Sequence, residues 1–166
     1  NSDGSTSVAC GNGTRCVAKI LSKEYGKNEI NLQTSSGNLH SLILNENTVE
    51  TNIGAATMEW NKIPLQKNLN TEDLRITISD LGGNKFIGGI AVNVGNPHII
   101  FFVENNKKFN IEKIGPEIEK HEYFPERCNV TLATIIDNNL IDVKVWERGA
   151  GLTKACGTAA CATAYA

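Results

Sequence analysis

Ala9-Cys10-Gly11-Asn12-Gly13-Thr14-Arg15-Cys16 sets a cysteine before a glycine and a run of small or polar residues, and Ala155-Cys156-Gly157-Thr158-Ala159-Ala160-Cys161 repeats the arrangement near the other end. Each stretch follows a glycine-bearing segment, with Gly4 before the first and Gly149 and Gly151 before the second. Such a step predicts a helix that opens at the cysteine and leaves its first backbone N–H groups uncovered, which is an anion-binding terminus. The positive end of the helix dipole is expected to lower the pKa of a thiol placed there from about 8.5 into the range of roughly 3.5 to 7.5, so Cys10 and Cys156 are both candidate bases. Cys16 and Cys161, a turn or more further on, are expected to face the core.

Outward from the first stretch, Val17, Ile20 and Leu21 supply one apolar face for a helix over Gly11 to Leu21 that ends near Lys23. Strands are expected over Glu29 to Thr34, Leu39 to Leu44 and Thr48 to Ile53, with a turn at Ser36-Gly37-Asn38. Gly54 to Asn70 has no clear period and reads as a crossing between lobes. Beyond it, Leu74 to Ser79, Phe86 to Val94 and Ile99 to Val103 read as strands, the first two separated by the turn Gly82-Gly83-Asn84. Ile111, Ile114 and Ile118 mark a short helix that Pro116 should restrict to the residues from Gly115 onward. Asn129 to Ile136 and Leu140 to Glu147 form a hairpin across Asp137-Asn138-Asn139, and a final helix begins around Cys156. The fold class is therefore α+β: two helices opened by Cys-Gly steps, with mostly strand between them.

Composition limits the alternatives. The 166 residues are 40% hydrophobic and 20% charged with a net charge of -2, which suits one globular domain or two small lobes. The longest basic clusters are pairs such as Lys107-Lys108, so nucleic acid is not an expected partner. No apolar run approaches the roughly 20 residues of a membrane helix and no signal-peptide layout is visible, which favours a cytoplasmic protein without a membrane partner. The five cysteines, Cys128 included, are an odd set without Cys-x-x-Cys, so reduced thiols are expected and a thiol-disulfide protein is disfavoured. The cysteine spacings and the scattered His40, His98 and His121 argue against a metal site. Both ends look like interior sequence, so the chain reads as truncated at each end.

Two thiols, one a base and the other an acid on the opposite face of a carbon, would remove and return a proton and so invert that centre. Two helix termini would hold a carboxylate beside it and the charge that spreads onto it. No pyridoxal-binding lysine motif or clustered carboxylate set is visible, so no cofactor is expected.

Four segments, taken in order, resemble the diaminopimelate epimerase family of pyridoxal-independent enzymes. They are Asn1-Ser2-Asp3-Gly4-Ser5 with Cys10 to Cys16; Gly95-Asn96-Pro97-His98; His121 through Phe124-Pro125-Glu126-Arg127-Cys128-Asn129; and Glu147-Arg148-Gly149-Ala150-Gly151 running to Cys156-Gly157-Thr158. The resemblance implies two pseudo-symmetric lobes, each a curved, mostly antiparallel sheet around a central helix, assigned here to residues 1–54 and 55–166. It implies conversion of LL- to meso-diaminopimelate on the route to lysine and peptidoglycan, without cofactor, by a homodimer joined through the first lobe. Cys10 and Cys156 would be the acid/base thiols, with His98 and Glu147 beside them sharing protons and orienting sulfur. Gly11, Asn12, Gly157 and Thr158 would hold the reacting carboxylate through their backbone. Asn1, Asn96, Asn129, Glu147 and Arg148 would hold substrate, Arg148 at the distal carboxylate. Two alternatives stay open: a proline or hydroxyproline racemase, whose first motif resembles Cys-Gly-His and not Cys-Gly-Asn-Gly, and a non-catalytic fragment that keeps the anion-binding termini.

Overall fold

The computed structural model describes residues 10–34 and 37–166. Asn1, and Ser36 of the expected first turn, lie outside the described residues. Helix α1 (Gly11–Tyr25) is capped by Cys10 and closed by Gly26, whose φ of 64° is the left-handed conformation glycine adopts most readily. Its neighbours are three antiparallel strands, β1 (Glu29–Thr34), β2 (Gly37–Asn45) and β3 (Thr48–Asn52), paired in the order β1-β2-β3.

The expected strand Phe86 to Val94 is two strands in two different sheets. Strand β5 (Lys85–Gly88) pairs with β4 (Ile76–Ser79), while β6 (Ile90–Asn93) joins a five-stranded sheet. The break is Gly89, with φ of 109°, where a Cβ would stand 2.8 Å from Ile99 Cδ1. Only a residue without a side chain lets the chain change sheets at that close approach.

The five-stranded sheet runs β10-β9-β8-β7-β6, with β7 (Pro97–Phe102), β8 (Asn129–Asp137), β9 (Leu140–Glu147) and β10 (Gly151–Thr153). Strands β7 and β8 are parallel, and the crossover between them carries a 3-10 turn, Asn106–Lys108, and helix α2 (Ile111–Glu119). Helix α2 starts well before Pro116, contrary to the expected restriction. Asn110 Oδ1 accepts from the amides of Glu112 (3.0 Å) and Lys113 (3.3 Å), and at its position in the second turn Pro116 deletes one intrahelical hydrogen bond.

Both faces of this sheet are covered, which explains the almost continuous burial of β7. Ile99, Phe101, Val130 and Leu132 point to a core shared with Ile114 and Ile118 of α2 and with Ile76 and Ile78 of β4. Ile100, Ala133 and Val92 point the other way, against Ala162 of helix α3 (Gly157–Tyr165).

Candidate functional site

Strand parity assembles the site. Residues of alternate parity point to opposite faces, so His98 shares the α3 side of β7 with Ile100, and Asn129 shares the α3 side of β8 with Ala133. His98 and Asn129 are direct partners in the parallel ladder. One residue beyond the Val130–Trp146 pair, Glu147 continues the same row on β9, and Glu147 pairs with Gly151 on β10. Three residues from three separate sequence motifs therefore stand side by side beneath the start of α3, whose cap is Cys156.

The two cysteine-capped helices meet at their first residues. Arg15, one turn into α1, reaches across so that Nη1 lies 3.3 Å from where a Cβ on Gly157 would be and 3.8 Å from the equivalent point on Gly11. Its Nη2 donates to Asn12 Oδ1 at 2.6 Å. Arg15 is not among the residues expected from the motifs, although a long cation four residues after the first residue of a helix points back toward that helix start. Cys10 is exposed and accepts from the Gly13 amide at 3.3 Å. Cys156 is half-buried, with Sγ 3.3 Å from the Thr158 hydroxyl.

The expected lowering of both thiol pKa values does not hold for Cys156. Burial, the largest influence, pushes this thiol above its ordinary value. The Thr158 hydroxyl and Ala159 amide act in the opposite direction, while Glu147 favours the protonated form by its charge and by hydrogen bonding. Glu147 is itself held by the Thr153 hydroxyl, which donates to Oε1 at 2.5 Å.

Cys16 and Cys161 are exposed, correcting their assignment to the core. The faces that α1 and α3 bury are set by Ala18 and by Ala159, Ala162 and Thr163, and neither cysteine falls on them. Cys128 is fully buried, its S–H donating to the Ile118 carbonyl at 3.6 Å, and burial drives its thiol far upward, leaving an inert packing residue.

His98 is fully buried beside Asn96, with Nε2 and Asn96 Oδ1 2.8 Å apart. The same Nε2 lies 3.5 Å from Asn129 Nδ2. Burial, reinforced by the Arg148 guanidinium, pulls the His98 pKa down to about 3, so the ring is neutral near pH 7. An unfolded His98 takes up a proton below about 6.5, whereas the folded one waits until about pH 3. Stability is therefore present above pH 6.5 and lost as pH falls toward 3, at about 1.4 kcal/mol per pH unit. Denaturant unfolding at pH 7 and pH 5 should show a loss about 2 kcal/mol larger in the native chain than in His98→Gln; equal losses would contradict the assignment.

Asn129 ties the row to the next turn, its Oδ1 accepting from the Arg148 amide at 2.9 Å and its Nδ2 donating to the Pro97 carbonyl at 3.1 Å. The Arg148 side chain donates through Nη1 to the Glu126 carbonyl at 2.8 Å. Asn96 and Arg148 line one cavity of about 300 Å³ together with Lys62 and Glu126. Among the described residues, no group of three His, Cys, Asp or Glu side chains comes together to hold a metal ion.

The fold is shared with a solved structure of a phenazine biosynthesis protein of the PhzF family from Bacillus anthracis, at 17% identity and a TM-score of 0.54, over 95% of this chain and 56% of that one. Fold and site together define the class: an α+β protein with two cysteine-capped helix starts brought together. The sequence pattern of the diaminopimelate epimerase family matches residues 90–166. A diaminopimelate epimerase of Pelagibacter ubique is 66% identical over all 166 residues. Those of Rhizobium rhizogenes and Caulobacter vibrioides are 39% and 40% identical over 99% and 100% of the chain. The chain is thus similar to diaminopimelate epimerases along its whole length, and residues 90–166 carry that family's pattern. It spans 61% of the Pelagibacter relative's length and 55% and 58% of the other two.

Proposed function

We propose that the protein inverts the α-carbon of LL-diaminopimelate to give the meso form, with Cys10 and Cys156 as the two proton-transfer groups. The observation that carries this reading is the meeting of the two cysteine-capped helix starts across Arg15. A substrate carboxylate between them would meet the amides of Gly11, Asn12, Gly157 and Thr158, where first-turn N–H groups lack partners within the helix. In the LL-to-meso direction Cys10, as thiolate, takes the α-proton, and the C–H electron pair moves into the carboxylate. Cys156, held as the thiol by burial and by Glu147, gives its proton to the opposite face. Cys10 ends as thiol and Cys156 as thiolate, and exchange of protons with water resets them. His98, neutral and buried, acts through Asn96 as a positioning group and carries no charge.

Arg148 and Asn96 face one cavity, which suits the distal carboxylate and ammonium of diaminopimelate and exceeds what proline needs. Asn1 belongs to this reading as a substrate contact. So do a homodimer and a cytoplasmic location; among the described residues no helix is long and apolar enough to cross a membrane. Incubation with LL-diaminopimelate and separately with L-proline, followed by chiral chromatography, tests the reading. Inversion of diaminopimelate alone is expected. Turnover of proline alone would overturn the reading in favour of the proline-type racemase, and turnover of neither would favour a non-catalytic fragment.

A further inference from the structure

We propose that Glu119 is a positioning residue whose buried carboxylate fixes the turn after β9 and so aims Arg148. Glu119 is the last residue of α2 and is only 5% exposed. Its Oε2 accepts from the Trp146 indole N–H at 2.7 Å, and its Oε1 accepts from the Gly149 amide at 3.2 Å and faces the Arg127 guanidinium at 3.7 Å. One helical turn earlier, Gly115 allows the Trp146 ring to lie directly on the helix backbone, because a Cβ there would be 2.3 Å from Trp146 Cγ. Helix α2 therefore grips Trp146 twice, at the ring and at its only polar atom.

The same glutamate's carbonyl accepts from the Cys128 amide at 3.3 Å, one residue before Asn129. Asn129 in turn holds the Arg148 amide. Between the anchored Trp146 and Gly149 lie only Glu147, which stays paired with Gly151 in the sheet, and Arg148, so Glu119 governs the direction in which Arg148 leaves the sheet. A carboxylate so deeply buried is costly unless its partners need it, and here two hydrogen-bond donors and the Arg127 guanidinium converge on it. That the aimed Arg148 holds substrate rests on the function proposed above; the anchoring does not.

Two readouts separate positioning from a general structural role. Amide exchange at Gly149 and exchange of the Trp146 indole N–H, resolved by NMR with Trp60→Phe to assign the indole, should each quicken about tenfold in Glu119→Ala. KM for LL-diaminopimelate should rise about tenfold with kcat changed less than about threefold. If Glu119→Ala does not fold, Glu119→Gln, which keeps the size and one acceptor, carries the same comparison with smaller shifts in the same direction. Native exchange at both groups in a folded variant would overturn the proposal, as would faster exchange with an unaltered KM. A native protein without epimerase activity would defeat the functional reading, and the exchange measurement would still decide the anchoring.

Discussion

Replacing either Cys10 or Cys156 by alanine should reduce kcat/KM for epimerisation at least roughly a thousandfold, because each face of the reacting carbon needs its own proton-transfer group. The two helices that carry these cysteines come from opposite ends of the chain, so neither thiol can substitute for the other. Cys→Ser should be nearly as severe, since a serine hydroxyl has no accessible anion near neutral pH. By contrast, alanine at Cys16 or Cys161 should leave activity within about twofold, because both side chains are exposed and stand more than a turn beyond the capping cysteines. Steady-state assays on the four variants, each checked for unaltered folding by circular dichroism, make the comparison. Comparable activity in Cys10→Ala and Cys16→Ala would contradict the assignment.

The second large effect is structural and comes from Gly115→Ala. In an exposed helix the exchange would gain about 1 kcal/mol from helix propensity. Here the new methyl would meet Trp146 Cγ, Cδ2 and Cβ at 2.3, 2.5 and 2.7 Å, all at the root of the ring where no rotamer change relieves the clash. Overpacking of this kind costs about 3 kcal/mol, which outweighs the propensity gain. For a chain of this size the melting temperature should fall by roughly 4 to 8 °C once the gain is subtracted. Trp146 adjoins Glu147 and Arg148, so catalysis should weaken along with stability. A melting temperature equal to or above the native value in a calorimetric scan would show that α2 does not press on Trp146 as described.

The elements that were legible in the sequence are those in which local chemistry and tertiary placement agree. The Cys-Gly steps at Cys10 and Cys156 open helices because a cap followed by small residues suffices to start one. The hairpin from Asn129 to Glu147 is visible because Asp137-Asn138-Asn139 punctuates two strongly patterned strands. What stayed hidden depends on distant residues. Gly89 divides one apolar run between two sheets because Ile99 stands against it, and nothing adjacent in sequence says so. The raised Cys156 thiol is likewise a matter of surroundings: a helix start favours the anion, but the depth at which α3 sits on the sheet opposes it more strongly. The neutral state of His98 was not legible either, since its burial depends on both covers of the sheet. Glu119 gave no signal at all, because a glutamate at the end of a short helix ordinarily faces water. Of the site residues named from motifs, His98, Asn129 and Glu147 fall into one row through strand register. Asn96 and Arg148 meet at a cavity beside that row.

In the proposed reaction one carbon-bound proton is removed and replaced between two thiols that exchange with water. Turnover of LL-diaminopimelate in deuterium oxide, followed by mass spectrometry and proton NMR of the product, tests it most directly. The meso product should carry one deuterium at the inverted α-carbon, and unreacted LL substrate should remain largely unlabelled early in the reaction, because the proton returned comes from the second thiol. Meso product formed without solvent deuterium at that carbon would contradict the account.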